Sequence, residues 1–406
     1  MPDRAAVLLR FAPQLKYDSQ EAFFADSAAE WTDNPGNVLR RAPKGGHQPE
    51  VIAAASPAPG QAQLCLDLLG NPAYADGAIT EDSDHISNPH GKYRAQYVEL
   101  RRRGGYANRM YARTQEDSHG SLWLQYWFFY FYNDYNLAGN FGLHEGDWEM
   151  VQLRMDGDEP DLAVYAQHRV AEKKLWRDVE KLPDNPDTPI VYVARGSHAS
   201  YFEPGFHETE AWYDLADGKR RTPKLAVEIL DEDGPAWTLW RGRWGDTKPS
   251  VSGLEQPSPD SPCMHAQWTD PRSLWESARE HRARKPRAAP EVAVSRKDGH
   301  LRLDYDFAAH AGAPEKLVVT VNSVDDSLPP RTFDFPVAEP ARGRIHTKIV
   351  LNPSQHYDIY VSTVDHAHIP SASQLTELDP VSDAGGKFFL LRWFALLVAR
   401  LRGDRS

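Results

Sequence analysis

The sequence predicts a mostly β protein with three parts: an antiparallel β-sandwich main domain, a second and smaller β-sandwich, and a C-terminal amphipathic helix. Aromatic residues make up 11% of the 406 residues, and such side chains favour the pleated, half-buried surface of a sheet. The second observation is the aromatic run from Ser121 to Tyr132. The third is a series of short alternating segments after residue 291, which is typical of a sandwich.

The run 121–132 predicts a strand that is buried on both faces, because Tyr, Trp and Phe dominate it and it is too short and too polar at its tip to span a membrane. Residues 114–120 before it predict the loop of a hairpin. Residues 147–153 alternate, so that Asp147 and Glu149 share one face with later apolar residues. Segments 162–168 and 190–194 predict further strands, and together they indicate a main domain over residues 1–285.

A linker is predicted at residues 286–291, where Pro and Ala are enriched. Short strands then follow at a spacing of roughly 10–15 residues, as in small sandwiches: 292–294, 301–307, 316–321, 331–335, 345–351 and 357–364. They indicate a fibronectin type III-like or immunoglobulin-like module over 292–372. A second linker is predicted at 373–386.

The tail, residues 387–402, predicts a helix that is apolar over most of its surface and carries basic residues. A helix of this kind lies in a membrane interface, where arginine contacts lipid phosphates, or packs on protein. Two alternatives therefore stay open at the sequence level. One is a membrane lipid, and the other is a protein partner or self-association through this helix.

Composition excludes some classes of protein. The formal net charge of −12 opposes nucleic-acid binding, which needs a basic surface. Two cysteines in so long a chain do not indicate a disulfide scaffold. The first residues lack the apolar core and cleavage site of a secretory signal, and no segment reads as a transmembrane helix. We therefore expect a cytoplasmic protein that associates peripherally with membranes.

The pattern His144-x-x-Asp147-x-Glu149 carries the clearest chemistry. On a strand the two carboxylates point the same way, about 7 Å apart along the chain. Two carboxylates and an imidazole suit a divalent metal, with Mg²⁺, Ca²⁺ or Mn²⁺ the best candidates. The alternative is a structural ion network in which Arg113 or Arg154 neutralises the carboxylates.

Three blocks occur in order: Gly-Asp-Trp-Glu at 146–149, Tyr-x-Gln-His at 165–168, and Pro-Ile-Val-Tyr at 189–192, the last followed by Gly-Ser-His-Ala-Ser at 196–200. In these blocks the chain resembles the Vps62-related family. The resemblance spans about residues 120–205 and extends over most of 1–285. It implies a link to vacuolar sorting, and hence to membranes.

The segment 144–149 is also similar, more distantly, to a motif of the necrosis- and ethylene-inducing peptide-like cytolysins. That resemblance implies a β-sandwich with a metal held by His144, Asp147 and Glu149, and by Asp134 upstream. It also implies binding of a glycosylated lipid without chemistry. The chain departs from that motif at Leu143 and Gly146, where the family has glycine and histidine.

Three further residues could contact the metal, its surrounding shell or a ligand. His198 lies in a polar turn after a strand, and it is either near the metal or a hydrogen-bonded core histidine. His168 is either structural or a partner of a ligating residue. Glu145 is a candidate general base.

Three functions remain at this stage. The first is a non-enzymatic, metal-supported recognition protein for a lipid head group or glycan at a membrane surface. The second is a metal-dependent hydrolase, an esterase or phosphoesterase, in which Glu145 or His198 acts as general acid or base. No nucleophile elbow or phosphate-binding loop supports it. The third is a scaffold or trafficking protein with a structural acidic cluster.

Overall fold

The computed structural model describes the protein as a β-rich main domain followed by a second sandwich. The described residues are 3–41, 50–72, 84–88, 91–103, 108–135, 142–167, 170–208, 213–220, 225–230, 234–246, 258–282, 288–307, 314–324, 331–337, 342–365 and 370–381. The predicted helix at 387–402 and His168 lie outside them. Within these ranges, none of the helices is long and apolar enough to cross a membrane.

The helices of the main domain are short. They are α1 (Arg4–Arg10), α2 (Ala28–Thr32), α3 (Tyr93–Arg101), α4 (Ala266–Thr269) and α5 (Arg272–Ser277), with 3₁₀ turns at Leu66–Leu68, Trp176–Asp178, Ala236–Leu239 and Pro262–Met264. Its strands are β1 (Gln14–Tyr17), β2 (Val38–Arg41), β3 (Glu50–Ala54), β4 (Ala62–Gln63), β5 (Asp84–Ser87), β6 (Asn108–Glu116), β7 (Leu122–Asn133), β8 (His144–Asp156), β9 (Glu159–Gln167), β10 (Val170–Leu175), β11 (Lys181–Leu182), β12 (Asn185–Val193), β13 (Ser200–Tyr201), β14 (Gly205–Glu208), β15 (Tyr213–Ala216), β16 (Leu225–Ile229) and β17 (Arg279–Glu280).

The centre of the main domain is a sheet in the order β16-β6-β7-β8-β9-β10-β17. Strand β7 is buried along almost its whole length, which confirms the prediction for 121–132. Its side chains alternate between two cores. Trp127, Phe129 and Phe131 enter one core, whereas Phe128 and Tyr130 enter the other. The sheet is therefore the middle layer of the domain.

Segments from distant parts of the chain cover the two faces of this sheet. One face packs on α1, on β1 and on β12, which contribute Leu8, Leu15 and Val191. The other face packs on α2 and on a tryptophan-rich segment that includes Trp237 and Trp244. Strands β1 and β12 run parallel to each other. In the central sheet, β6 to β10 pair antiparallel, and the edge strands β16 and β17 join in parallel. The carboxyl ends of β1 and β12 consequently meet at one edge.

The second sandwich confirms a fibronectin type III-like module. Its strands are β18 (Val292–Lys297), β19 (His300–Asp306), β20 (Lys316–Ser323), β21 (Arg331–Pro336), β22 (Arg342–Val350), β23 (Tyr357–Val364) and β24 (Gln374–Leu378). They form the sheets β18-β19-β22 and β21-β20-β23-β24 over one apolar core. Strand β24 pairs with β23, so the sheet continues past residue 372 into the segment predicted as a linker.

Candidate functional site

Asp147 is the centre of the site. It lies on β8 opposite Tyr130 of β7, and only 6% of its surface is exposed. It shares its face with Val151, which belongs to the core on that side of the sheet, while Trp148 packs in the core on the other side. Strand alternation therefore sends the Asp147 carboxylate into the protein.

The backbone at Gly146 makes this placement possible. Its φ is +56°, and a Cβ at this position would lie 2.3 Å from the carbonyl oxygen of Trp244. A residue with a side chain would therefore meet both the left-handed penalty and a clash with backbone. Glycine at 146 lets β8 pass close to the Trp244 carbonyl on one face of the sheet, while the next residue, Asp147, points to the opposite face.

His198 approaches Asp147 from the turn that follows β12. Its backbone is left-handed, at φ +54°, a conformation that non-glycine residues adopt at a cost. The ring is fully buried and stacks on the Tyr130 ring at 3.9 Å, with an interplanar angle of 2°. Its Nδ1 lies 2.8 Å from Asp147 Oδ2. The strained turn thus holds the imidazole directly over the carboxylate.

Glu21 completes the group, and sequence reasoning did not identify it. It follows β1, and its Oε2 accepts a hydrogen bond from the Gly196 backbone N–H at 2.7 Å. Its Oε1 accepts one from the Phe23 N–H at 2.8 Å and lies 3.6 Å from His198 Nε2. Because β1 and β12 are parallel neighbours, their carboxyl ends bring Glu21 and His198 together. The imidazole therefore lies between two buried carboxylates.

The charges of this group follow from its burial. Burial opposes the imidazolium form, but Glu21 and Asp147 raise the pKa of His198 to about 9. In turn, His198 lowers the pKa of Glu21 against the effect of burial. Burial, followed by the nearby charges of Asp147 and Asp214, raises the pKa of Glu149 well above its usual range. The raised pKa of His198 favours its imidazolium form between Glu21 and Asp147, and the raised pKa of Glu149 favours the neutral acid beside them.

The other predicted metal ligands have different partners. The neutral ring of His144 donates from Nδ1 to the Gly146 carbonyl at 2.7 Å and accepts at Nε2 from the Asn133 amide at 2.7 Å. Burial lowers its pKa. Asp134 pairs with Arg94. Both ring nitrogens of His144 are thus occupied, and Asp134 is already neutralised.

These contacts do not fit a metal bound jointly by His144, Asp147, Glu149 and Asp134. Across the described ranges, no three His, Cys, Asp or Glu side chains converge as a metal site would require. The ligand set stays a prediction, and the side chain that lies against the Asp147 carboxylate is the His198 imidazole. The alternative partners also lie elsewhere, since Arg113 donates to the Trp268 carbonyl and Arg154 pairs with Asp161.

Glu145 joins three separate segments rather than facing a cavity. It accepts hydrogen bonds from the Asn88 N–H at 2.9 Å, the Tyr93 hydroxyl at 2.5 Å and the Asp246 N–H at 2.8 Å. Burial raises its pKa to about 7, although these donors act in the opposite direction. Glu145 therefore links β8 to the three segments that contain Asn88, Tyr93 and Asp246.

A cleft of about 570 Å³ lies between the main domain and the second sandwich. Glu21 lines it and so connects it to the buried group. Cationic and acidic side chains of both modules line it, among them Asp18, Arg94, Asp134, Arg195, Lys316 and Asp334. Two of the cations are already paired, Arg94 with Asp134 and Lys316 with Asp334. Arg195 Nε is buried without a hydrogen-bond partner among the described residues.

Comparison with known proteins gives one curated relative. The chain is similar to vacuolar protein sorting-associated protein 62 of Saccharomyces cerevisiae, with 26% identity in a 167-residue alignment that covers 31% of this chain and 35% of that protein. No family model matches the chain.

Two solved structures are similar to part of the chain. The fn3 domain of human collagen alpha-1(XX) chain is 16% identical over 26% of this chain and 97% of its own, with a TM-score of 0.21. The FN5 domain of Drosophila Lar is 11% identical over 25% of this chain and 100% of its own, with a TM-score of 0.17. The fibronectin-like description accordingly rests on the strand order of the second sandwich, and the sequence similarity supports a relationship to Vps62.

Proposed function

We propose that this protein is a non-enzymatic recognition protein that binds the polar head group of a lipid or a glycan in the cleft between its two sandwiches. The observation that carries the proposal is the lining of the cleft, which combines donors and acceptors from both modules. A concave site with a few convergent polar groups is the usual form of a small-ligand site.

The charges of the cleft favour hydroxyl-bearing head groups over bare phosphate. Asp134 neutralises Arg94, and Asp334 lies 2.5 Å from the Lys316 ammonium. An isolated phosphate would have to compete with these carboxylates. Sugar or inositol hydroxyls, which donate and accept at once, can bind between the paired charges without separating them.

The buried histidine supports recognition rather than hydrolysis. A general base must reach the proton that it removes. His198 is fully buried and faces a carboxylate through each ring nitrogen, and Glu145 is enclosed by three donors. We therefore place the hydrolase and scaffold functions behind recognition.

A membrane setting is part of the proposal. The similar yeast protein is named for vacuolar protein sorting, and the basic, apolar segment 387–402 suits an interface. In this arrangement the tail holds the protein at the lipid surface, or at a protein partner there. The cleft then determines which head group is bound.

The test is binding of the purified full chain to immobilised glycans and to vesicles that contain inositol or sugar lipids. Arg94→Gln combined with Lys316→Gln should weaken binding of the selected ligand at least tenfold, because each lost hydrogen bond to a charged donor costs about 1.5–3 kcal/mol. Lys348→Gln, an exposed charge change on β22, serves as the control. Equal binding by the cleft variant and the control would refute the cleft as the site.

A further inference from the structure

The hairpin of β14 and β15 has a polar inner face. His207 and Asp214 lie opposite each other across the strand pair, and both are buried. Asp214 accepts hydrogen bonds from the Ser197 hydroxyl at 2.7 Å and from the Tyr201 hydroxyl at 2.6 Å. Because successive residues of a strand point to opposite faces, the neighbouring side chains of the hairpin point the other way.

The outer face of the hairpin is apolar and consists of Phe206, Tyr213 and Leu215. Phe206 lies directly opposite Leu215, and the Phe206 and Tyr213 rings stack with their centroids 5.0 Å apart and an interplanar angle of 28°. All three residues are half-buried and line the cleft. None of the three belongs to an apolar core of the described structure. Two large rings therefore face the cleft without a role in the packing of a core.

The rest of the cleft is rich in groups that accept hydrogen bonds from hydroxyls. Three cationic side chains line it, and five carboxyl groups do so as well: Asp18, Glu21, Asp134, Asp217 and Asp334. Carboxylates accept from hydroxyl donors, whereas they oppose a further anionic group. A volume of about 570 Å³ is in the range of small-ligand sites. The cleft thus combines an aromatic surface with an acidic lining.

We propose that Phe206 and Tyr213 form a platform on which an uncharged, ring-shaped polyol stacks, either a pyranose or an inositol ring, and that the cleft selects rings without a phosphate group. Such a ring carries C–H groups on its faces and hydroxyls around its rim. The C–H groups contact the electron-rich faces of the aromatic rings, while the hydroxyls donate to the carboxylates. This inference rests on the proposed function and narrows its ligand to one chemical class.

The test measures the affinity of the full chain for glucose, mannose, galactose and myo-inositol, and for a monophosphate of each, by titration calorimetry. At least one uncharged ring should bind, and its monophosphate should bind at least about fivefold more weakly beside the carboxylates. Phe206→Leu combined with Tyr213→Leu keeps apolar side chains but removes both flat faces. This double variant should bind the preferred ring about tenfold more weakly, since each aromatic contact contributes a few-fold in affinity.

Three further variants make the result specific to the platform. Tyr213→Phe keeps the ring and should bind within about twofold of the wild type. Trp275→Leu removes a half-buried aromatic of α5 that is not among the residues lining the cleft, and it should leave binding unchanged. Tyr213→Leu alone should bind about threefold more weakly, which keeps the test decisive if the double variant does not fold.

The source of the ring and the failure of each proposal are separable. Vesicles that display the preferred ring on a lipid, compared with the free sugar, distinguish a membrane source from a soluble one. Equal affinity of the wild type and the double leucine variant, or tighter binding of the monophosphates, would overturn the platform while the cleft remains the site. Absence of binding by every ring, free or on vesicles, would overturn the platform and the proposed function together.

Discussion

Replacing His198 with glutamine removes the imidazole that lies between Glu21 and Asp147 and whose raised pKa makes it their counter-charge. The two carboxylates would stay buried, at 0% and 6% exposure, without a counter-charge. Removing one partner of a buried ion pair costs about 3–5 kcal/mol, and loss of the stacked Tyr130 contact adds about 0.5–1 kcal/mol. We expect the free energy of unfolding of the main domain to fall by about 4 kcal/mol.

Tryptophan fluorescence during urea unfolding measures this loss without a signal from the second sandwich. Every tryptophan except Trp393 lies before residue 285, and the second sandwich has none. His119→Gln, at an exposed position, should change the free energy by less than about 0.5 kcal/mol. A double variant with Asp147→Asn should lose less than the sum of its parts, because the two groups interact.

The result that would refute this reasoning is a loss below about 1 kcal/mol for His198→Gln, the size of an ordinary hydrogen bond. The imidazole would then be a neutral core residue, and the carboxylates would need another counter-charge. Recovery of the variant's stability on addition of Mg²⁺, Ca²⁺ or Mn²⁺ would point to a metal as that counter-charge.

Four further outcomes are expected from urea unfolding or from NMR titration. Because folding raises the pKa of His198 from 6.5 to about 9, its stabilisation is complete below pH 6.5 and is lost as pH rises through 9, a fall of about 3 kcal/mol that should be absent in His198→Gln. Gly146→Ala should cost about 3 kcal/mol from strain and overlap, whereas Gly157→Ala, left-handed but in open space, should cost about 1 kcal/mol. Tyr93→Phe should move the pKa of Glu145 above its present value of about 7, since the hydroxyl favours the carboxylate. Chelation of divalent metals should leave the urea midpoint of the wild type unchanged, because the imidazolium supplies the charge; a clear fall in that midpoint would support the predicted metal centre.

Much of the fold could be predicted because its signals are local. The aromatic run 121–132 and the alternation at 147–153 specify strands without knowledge of their neighbours. Asp84–Ser87 shows the limit of such reasoning. This polar segment reads as a loop, yet it forms a buried strand, because β2 and the Arg243 carbonyl satisfy its backbone and Ile86 enters the core.

The candidate site was predicted only in part for the same reason. Asp147 and His198 lie in recognisable motifs, and the structure brings them together. Glu21 lies in an ordinary polar turn after β1, and its role depends on the parallel pairing of β1 with β12, which are about 175 residues apart along the chain. No local pattern encodes that pairing, and it also decides that the imidazole lies between Glu21 and Asp147.

The doubly buried central sheet has a consequence for how the chain is made. Strands β6 to β10 are complete by residue 175. One face of the sheet, however, is covered in part by residues that are synthesised later, namely Trp237, Trp244 and Trp268. During synthesis at about 5–20 residues per second, the part of that face that α2 does not cover stays exposed for several seconds after the sheet itself has emerged. During this interval the exposed aromatic side chains can cause aggregation. A chaperone that binds apolar strands would bind to β7 in the same period.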